Sequence, residues 1–228
     1  PRLARQVVAE SRWPAEIAAR LEQLAAELPA GRLQPFEDPG APDEADWQGW
    51  MRPYLGQTWL EAPWFVIETY FFRLILAATG FFQPGPGEGI DPYRAQKEAG
   101  LRQAVSALPA LLRQLAAQAG SGEQDLSRQL AALLLRGVWS NQADLSMWPA
   151  GSRQPEGPGS LSLVDRLLHD QTAQAADWLL QGRPVPRVDF ILDNGGLELA
   201  HDLVLADFLL SRHLAEKVIM HCKYYPTY

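Results

Sequence analysis

Along the first two thirds of the chain, hydrophobic residues recur at the spacing of three and four residues that is typical of amphipathic helices. Ser11 and Pro14 supply a cap and a first-turn proline for one such helix, which Pro29 ends. Glycine and proline separate the segments that follow. The pattern predicts helices over residues 14–28, 59–79, 91–106, 108–119 and 124–138.

Two polar segments interrupt this helical pattern. Residues 35–53 are acidic and contain proline, glycine and tryptophan, which predicts an ordered loop packed through Trp47 and Trp50. Residues 149–159 are rich in proline and glycine and almost free of hydrophobic residues. We therefore expect a mainly helical region over 1–150, a connection over 151–159 and a second domain over 160–228.

The most apolar stretch, residues 63–82, carries Glu68 and Arg73 near its middle. Each charge would cost roughly 2.5–3.5 kcal/mol at the centre of a membrane, so a buried helix is the better interpretation. Together with Tyr70, these two residues either line a polar cleft or form an internal ion pair that fixes helix packing.

The pattern changes in the last third of the chain. After a helix over 160–180, the β-branched and apolar run 188–193 predicts a buried strand, Gly195 and Gly196 a turn, 197–214 a helix and 217–222 a second strand. Together they form a right-handed βαβ unit with two parallel strands. A sheet of two parallel strands is too small to be a core, so we expect a segment outside this sequence to supply the missing strands.

Composition and charge exclude several classes of protein. The 228 residues are 47% hydrophobic and 21% charged, which is typical of a globular chain that can bury a core. The net charge of −7 and the absence of a basic run argue against nucleic acid as a partner. Cys222 is the only cysteine, which fits a reducing compartment. With no secretion signal or membrane span in the sequence, we expect a cytoplasmic protein.

The turn after the first predicted strand contains the most informative candidate chemistry. Ligands of α/β proteins bind at the carboxyl ends of parallel strands, and this strand ends in Asp193 and Asn194. Carboxylate and amide oxygens suit a hard divalent cation, and the N-terminus of the next helix favours an anion such as phosphate. Alternatively, Asp193 or Asn194 simply caps that helix.

Acidic residues also interrupt the helix that follows this turn. Glu198 and Asp202 lie four residues apart in a segment that is otherwise almost entirely apolar. Burial of a carboxylate requires a partner, which favours a site, and Glu198 is the better candidate because it lies nearer to Asp193. The alternative is a narrow polar stripe that faces solvent and includes His201.

Four segments of the chain have a distinctive sequence, at residues 59–73, 91–97, 139–146 and 190–207. In this order they resemble the damage-control phosphatase family, in the subgroup also called acidic-residue (protein-glutamate) methyltransferase. The resemblance implies an α/β fold, in which a helical N-terminal region precedes a Rossmann-like α/β/α metal-binding domain with a mainly parallel sheet. It also implies hydrolysis of phosphorylated small metabolites, including sugar phosphates, with Mn²⁺, Co²⁺, Ni²⁺ or Mg²⁺.

The resemblance assigns roles to individual residues. Asp193 and Asn194 match metal ligands that also take part in catalysis and touch the substrate, and Glu198 matches a position assigned to S-adenosylmethionine. Asn141 and Asp144 belong to a polar segment expected to face the substrate, for which the alternative is an ordinary C-terminal turn. Glu68 is a further candidate contact to substrate.

The sequence departs from the family pattern in its C-terminal part. It does not contain the family's Val-Ser-Asp segment, whose Asp is a third metal ligand, or a later Arg-Thr-x-Lys motif for phosphate. Serine also precedes Asn141 where similar members often have glycine. The leading hypothesis is a metal-dependent phosphatase of small phosphorylated metabolites, incomplete at its C-terminus. The alternatives are an S-adenosylmethionine-dependent protein-glutamate methyltransferase and a non-catalytic binding module.

Overall fold

A computed structural model describes residues 2–28, 30–117, 122–140 and 167–227. The chain divides into two compact units, Pro1–Ala95 with Tyr225–Tyr228, and Gln96–Tyr224. In order, the elements are helices α1 (Arg2–Glu10), α2 (Ala15–Glu27) and α3 (Glu44–Met51), a 3₁₀ turn (Arg52–Tyr54), helices α4 (Trp64–Thr79), α5 (Arg94–Ala117), α6 (Glu123–Ser140) and α7 (Thr172–Gln181), strand β1 (Val188–Ile191), helix α8 (Leu197–Ser211) and strand β2 (Val218–His221).

The first unit is helical and has an aromatic core. Helix α2 packs against both α1 and α4. Tyr70 of α4 is buried, with its ring stacked on Trp59 and in edge contact with Phe36. Its hydroxyl donates a hydrogen bond to the carbonyl of Gln34 at 3.2 Å, and burial raises the pKa of Tyr70 to about 12. The buried members of this core are Leu28, Leu33, Phe36, Met51, Trp59, Ala62 and Tyr70.

A buried ion-pair network lies in the same unit. Arg73 is only 3% exposed, and its Nη2 atom is 2.7 Å from Asp38 Oδ2 and 2.8 Å from Asp43 Oδ1. The rings of Phe36 and Phe82 each lie 4.7 Å from the guanidinium carbon. Burial opposes ionisation of Asp43, but the hydrogen bonds and charge of Arg73 outweigh it and lower the pKa of this carboxyl. Arg73 therefore forms an internal ion pair, but its partners are Asp38 and Asp43 and lie outside the apolar helix.

The second unit contains the predicted βαβ arrangement. Strands β1 and β2 are parallel, with Val188 opposite Val218, and α8 connects them. Helix α6 packs against both α7 and α8. Val188 and Phe190 of β1 lie against the core, whereas Ile191 is 87% exposed. The buried core residues are Leu130, Leu133, Ala176, Leu180, Val185, Leu205, Phe208, Leu209, Leu214 and Ala215. The α/β fold class is confirmed.

Several predicted helix bounds were wrong. The helix predicted over 59–79 begins at Trp64, because Pro63 has an extended ψ of 134° and stands at the cap position. The helices predicted over 91–106 and 108–119 are the single helix α5, which continues through Pro109 although that residue donates no backbone hydrogen bond. Residues 167–171 are not helical, and α7 begins only at Thr172.

Two helices were not predicted from the pattern. Helix α1 has the spacing of an amphipathic helix, with Leu3 and Val7 buried four residues apart. Because the helix is short, its pattern was too weak to predict it. Helix α3 lies inside the predicted loop over 35–53, where Trp47 is partly buried but Trp50 is 60% exposed. No helix within the described part of the chain combines the length and hydropathy needed to cross a membrane.

Candidate active site

The candidate site begins where β1 ends. The Leu192 amide donates to the carbonyl of His221 at 3.0 Å, which extends the pairing with β2 by one residue before the chain turns into α8. Gly196 stands at the cap position of α8 with φ of 91° and ψ of −131°, a conformation that residues with a Cβ rarely adopt. A Cβ at Gly195 would lie 3.5 Å from the Lys97 side chain, so α5 runs beside this turn.

We expect Gly196→Ala to destabilise the protein by about 1–3 kcal/mol, because alanine must adopt the positive φ of this turn. The space is adequate, since the new Cβ would be 3.4 Å from the backbone of Gly100. Urea unfolding measures the effect. Gly195→Ala is the matched control and should cost less than about 1 kcal/mol, since its φ is not in the left-handed region. Equal losses for the two variants would contradict this account.

Asp193, Asn194, Glu198 and Lys223 form one hydrogen-bonded cluster at the turn. The Asn194 Nδ2 atom donates to Glu198 Oε2 at 3.0 Å and lies 3.3 Å from Asp193 Oδ2. Lys223 Nζ is 2.7 Å from Asp193 Oδ1. The carboxylate of Asp193 is exposed and Asn194 and Glu198 are partly buried, so the cluster lies at the surface of the second unit.

Helix α8 also carries two titratable residues after Glu198, namely His201 and Asp202. Asp202 is half-buried, and burial followed by the nearby charge of Glu198 raises the pKa of its carboxyl to about 6. Burial also lowers the pKa of His201, with the charge of Arg136 acting in the same direction. Glu198, His201 and Asp202 are each partly buried.

The donor atoms at the turn fit a hard divalent cation. Asp193 and Asn194 are adjacent and carry carboxylate and amide oxygens, which are the ligands that Mg²⁺ and Mn²⁺ prefer. The N-terminus of α8 follows directly and favours an anion. In the described ranges, no group of three or more His, Cys, Asp and Glu residues is gathered to hold a metal. Asp193 and Asn194 would thus supply only part of a coordination shell for such an ion.

The structure brings together three of the predicted site residues, Asp193, Asn194 and Glu198. Glu68 lies in the first unit, partly buried on α4. Asn141 and Asp144 lie outside the described residues, as does the predicted connection over 151–159.

Lys223 was not predicted from the sequence as a residue of the site. It follows β2 as Asp193 follows β1, and the parallel register brings the ends of the two strands to the same edge of the sheet. The parallel direction of the predicted strands already places both of their carboxyl ends at one edge, so a position of Lys223 near the turn could have been inferred. Its ion pair with Asp193 could not, because it depends on side-chain conformation.

An acid-amide pair at the carboxyl edge of a parallel sheet, followed by a helix N-terminus, is typical of ligand sites in α/β proteins. Comparisons with known proteins identify the family within this class. The family model described as "Damage-control phosphatase ARMT1-like domain" matches residues 1–228. The chain belongs to this family.

Curated relatives agree with the family model. Proteins named "Damage-control phosphatase ARMT1" are 32% identical over 183 residues in Rattus norvegicus, 31% over 189 residues in Danio rerio and 30% over 187 residues in Homo sapiens. Each alignment covers 75% of this chain and 41% of the relative. The chain thus spans less than half the length of these relatives.

Proposed function

We propose that the protein containing this chain is a metal-dependent phosphatase that hydrolyses phosphorylated small metabolites such as sugar phosphates. The observation that carries the proposal is the adjacent pair Asp193 and Asn194 at the edge of the parallel sheet, directly before the N-terminus of α8. Membership of the damage-control phosphatase family supports it, as do relatives that bear the name of a phosphatase.

In this proposal, Asp193 and Asn194 hold a divalent ion, which is Mn²⁺, Co²⁺, Ni²⁺ or Mg²⁺. When bound, such an ion polarises a phosphoryl group and neutralises the charge that develops on it. The backbone N–H groups in the first turn of α8 point to the same region and bind phosphate oxygens. The ammonium of Lys223, 2.7 Å from Asp193, adds a positive charge at this edge.

The remaining parts of the proposal concern substrate contacts and location. Glu68, Asn141 and Asp144 enter the proposal as further contacts to the substrate. The partner is a small phosphorylated metabolite, and the net charge of −7 makes nucleic acid an unfavourable partner. The single cysteine supports a reducing compartment, for which we propose the cytoplasm.

Removal and return of the metal tests the function. We expect the full-length protein to release phosphate from fructose 1-phosphate in the presence of Mn²⁺, and chelation followed by gel filtration to abolish that release. Adding Mn²⁺ back should restore it, because the ion supplies several kcal/mol of charge stabilisation. Phosphate is measured colorimetrically.

Two outcomes would contradict the proposal. Chelated protein that keeps its full rate would exclude a required ion, provided that elemental analysis shows the metal to be gone. Folded, metal-loaded protein that releases no phosphate from a panel of sugar phosphates would exclude the substrate class. A matched incubation without protein gives the background hydrolysis by Mn²⁺ alone.

A further inference from the structure

The side-chain amide of Asn194 is held in one orientation by carboxylates. An amide has a donor side, Nδ2, and an acceptor side, Oδ1, and an ionised carboxylate can only accept. One of the two terminal atoms of the Asn194 side chain lies 3.0 Å from Glu198 Oε2, and the same atom lies 3.3 Å from Asp193 Oδ2. That position must therefore be Nδ2, because the reversed amide would bring Oδ1 against two negatively charged oxygens.

The backbone of α8 keeps Glu198 where this contact is possible. Glu198 lies four residues after Asn194, in the first turn of the helix, so its Cβ is fixed once the helix is packed. The helix is anchored along its length by buried side chains, namely Ala200, Leu205, Ala206, Phe208 and Leu209. The carboxylate of Glu198 is itself partly buried, which strengthens a charged hydrogen bond relative to one in bulk water.

From this geometry we propose that Glu198 is the positioning residue of the metal site. It binds Nδ2 of Asn194, and thereby presents the Oδ1 atom of Asn194, on the other branch of the amide, as a ligand for the divalent ion. The inference rests on the proposed function, in which Asn194 is a metal ligand. It gives Glu198 a role that acts through Asn194 and requires no contact of its own with metal or substrate.

The size of the expected effect follows from other metal sites. Loss of a residue that orients a metal ligand typically weakens metal binding by about 10–100-fold. Glu198→Met keeps the length of the side chain but cannot accept the hydrogen bond. Glu198→Gln keeps an acceptor oxygen at the same position and loses only the charge. We expect the Met variant to bind Mn²⁺ about 10–100-fold more weakly, and the Gln variant to stay within about threefold of the natural protein.

The experiment measures binding of Mn²⁺ alone to the full-length protein, by electron paramagnetic resonance of the unbound ion. Asp202→Leu is the matched control. It removes a second partly buried carboxylate from the same helix, one turn further from Asn194. Its Mn²⁺ affinity should stay within about threefold of the natural protein, whereas that of Glu198→Met falls. Circular dichroism and the melting temperature establish that each variant is folded.

The outcomes separate this inference from the function on which it rests. If the natural protein binds no Mn²⁺, the proposed function fails and this inference fails with it. If the natural protein binds Mn²⁺ and Glu198→Met binds it equally well, only the positioning role is overturned. If Glu198→Met and Glu198→Gln weaken Mn²⁺ binding equally, the effect is due to charge. If Asp202→Leu weakens Mn²⁺ binding as much as Glu198→Met, the effect is due to the helix as a whole. Either result overturns the inference.

A crystal structure of the natural protein with Mn²⁺ decides the question if the Met variant fails to fold. The inference predicts Asn194 Oδ1 on the ion and Nδ2 within hydrogen-bond distance of Glu198. An Nδ2 to carboxylate distance above about 3.5 Å, with Asn194 bound to the ion, would overturn it.

Discussion

Asp193→Ala should lower the Mn²⁺-dependent hydrolysis of fructose 1-phosphate by about a thousandfold or more, while the protein stays folded. The carboxylate is the charged donor of the proposed site, and the stabilisation that a bound ion contributes, about 4 kcal/mol, corresponds to a factor of about a thousand in rate. Because Asp193 is exposed in the second unit, its removal creates no cavity and buries no charge. The measurements are kcat/KM at saturating Mn²⁺ and the affinity for Mn²⁺.

Asp189→Ala is the control for this substitution. Asp189 is another exposed aspartate of the same unit, four residues earlier, and it pairs with Arg187 and His221 on the face of the sheet. The two pairs lower the pKa of Asp189 to about 2, with the hydrogen bond from Arg187 as the largest cause. Its loss should leave the rate within about threefold, since an exposed ion pair contributes little. Undiminished hydrolysis by the Asp193 variant would end the assignment of this turn as the metal site.

Arg73→Met should destabilise the protein by about 3–5 kcal/mol, which is the largest loss of stability that we expect from a single substitution. The methionine fills much of the space between Phe36 and Phe82, so the loss comes from Asp38 and Asp43, whose charges would remain buried without a cation. The free energy of unfolding is measured in urea with tryptophan fluorescence as the signal, because this unit contains Trp47 and Trp59.

A second set of variants tests the cause of that loss. If buried negative charge is responsible, combining Arg73→Met with Asp38→Asn and Asp43→Asn should recover a large part of the stability. Arg5→Ala is the control for the loss of an arginine in the same unit, since its pair with Glu22 is exposed and 3.5 Å long. It should cost less than about 1 kcal/mol. A triple variant no more stable than Arg73→Met would show that packing, not charge, is what Arg73 contributes.

Much of the second unit could be predicted without coordinates, because its signals are local. The β-branched run before two glycines predicted β1, and the apolar segment after them predicted α8, with bounds close to those of the structure. The pair Asp193 and Asn194 was a candidate because of its place after a strand. The parallel direction of β1 and β2 follows from the crossover connection of such a unit, and the structure has it.

The first unit was predicted less completely, because its decisive interactions are long-range. The pattern showed that Arg73 interrupts an apolar helix, but not that its partners are Asp38 and Asp43, which lie 35 and 30 residues earlier. Helix α3 was not predicted, because glycine and proline residues surround it and indicate a loop. A short helix with a weak apolar stripe depends on tertiary packing for its stability.

Periodicity and turn chemistry were thus sufficient for the order of the main elements and for the acid-amide pair at the turn. They act over a few residues, so they can be read from the chain directly. Folding decided which polar groups meet: Arg73 with two distant aspartates, Lys223 with Asp193, and Glu198 with the donor side of Asn194. Such contacts depend on how packed elements aim their side chains, and no local pattern carries that information.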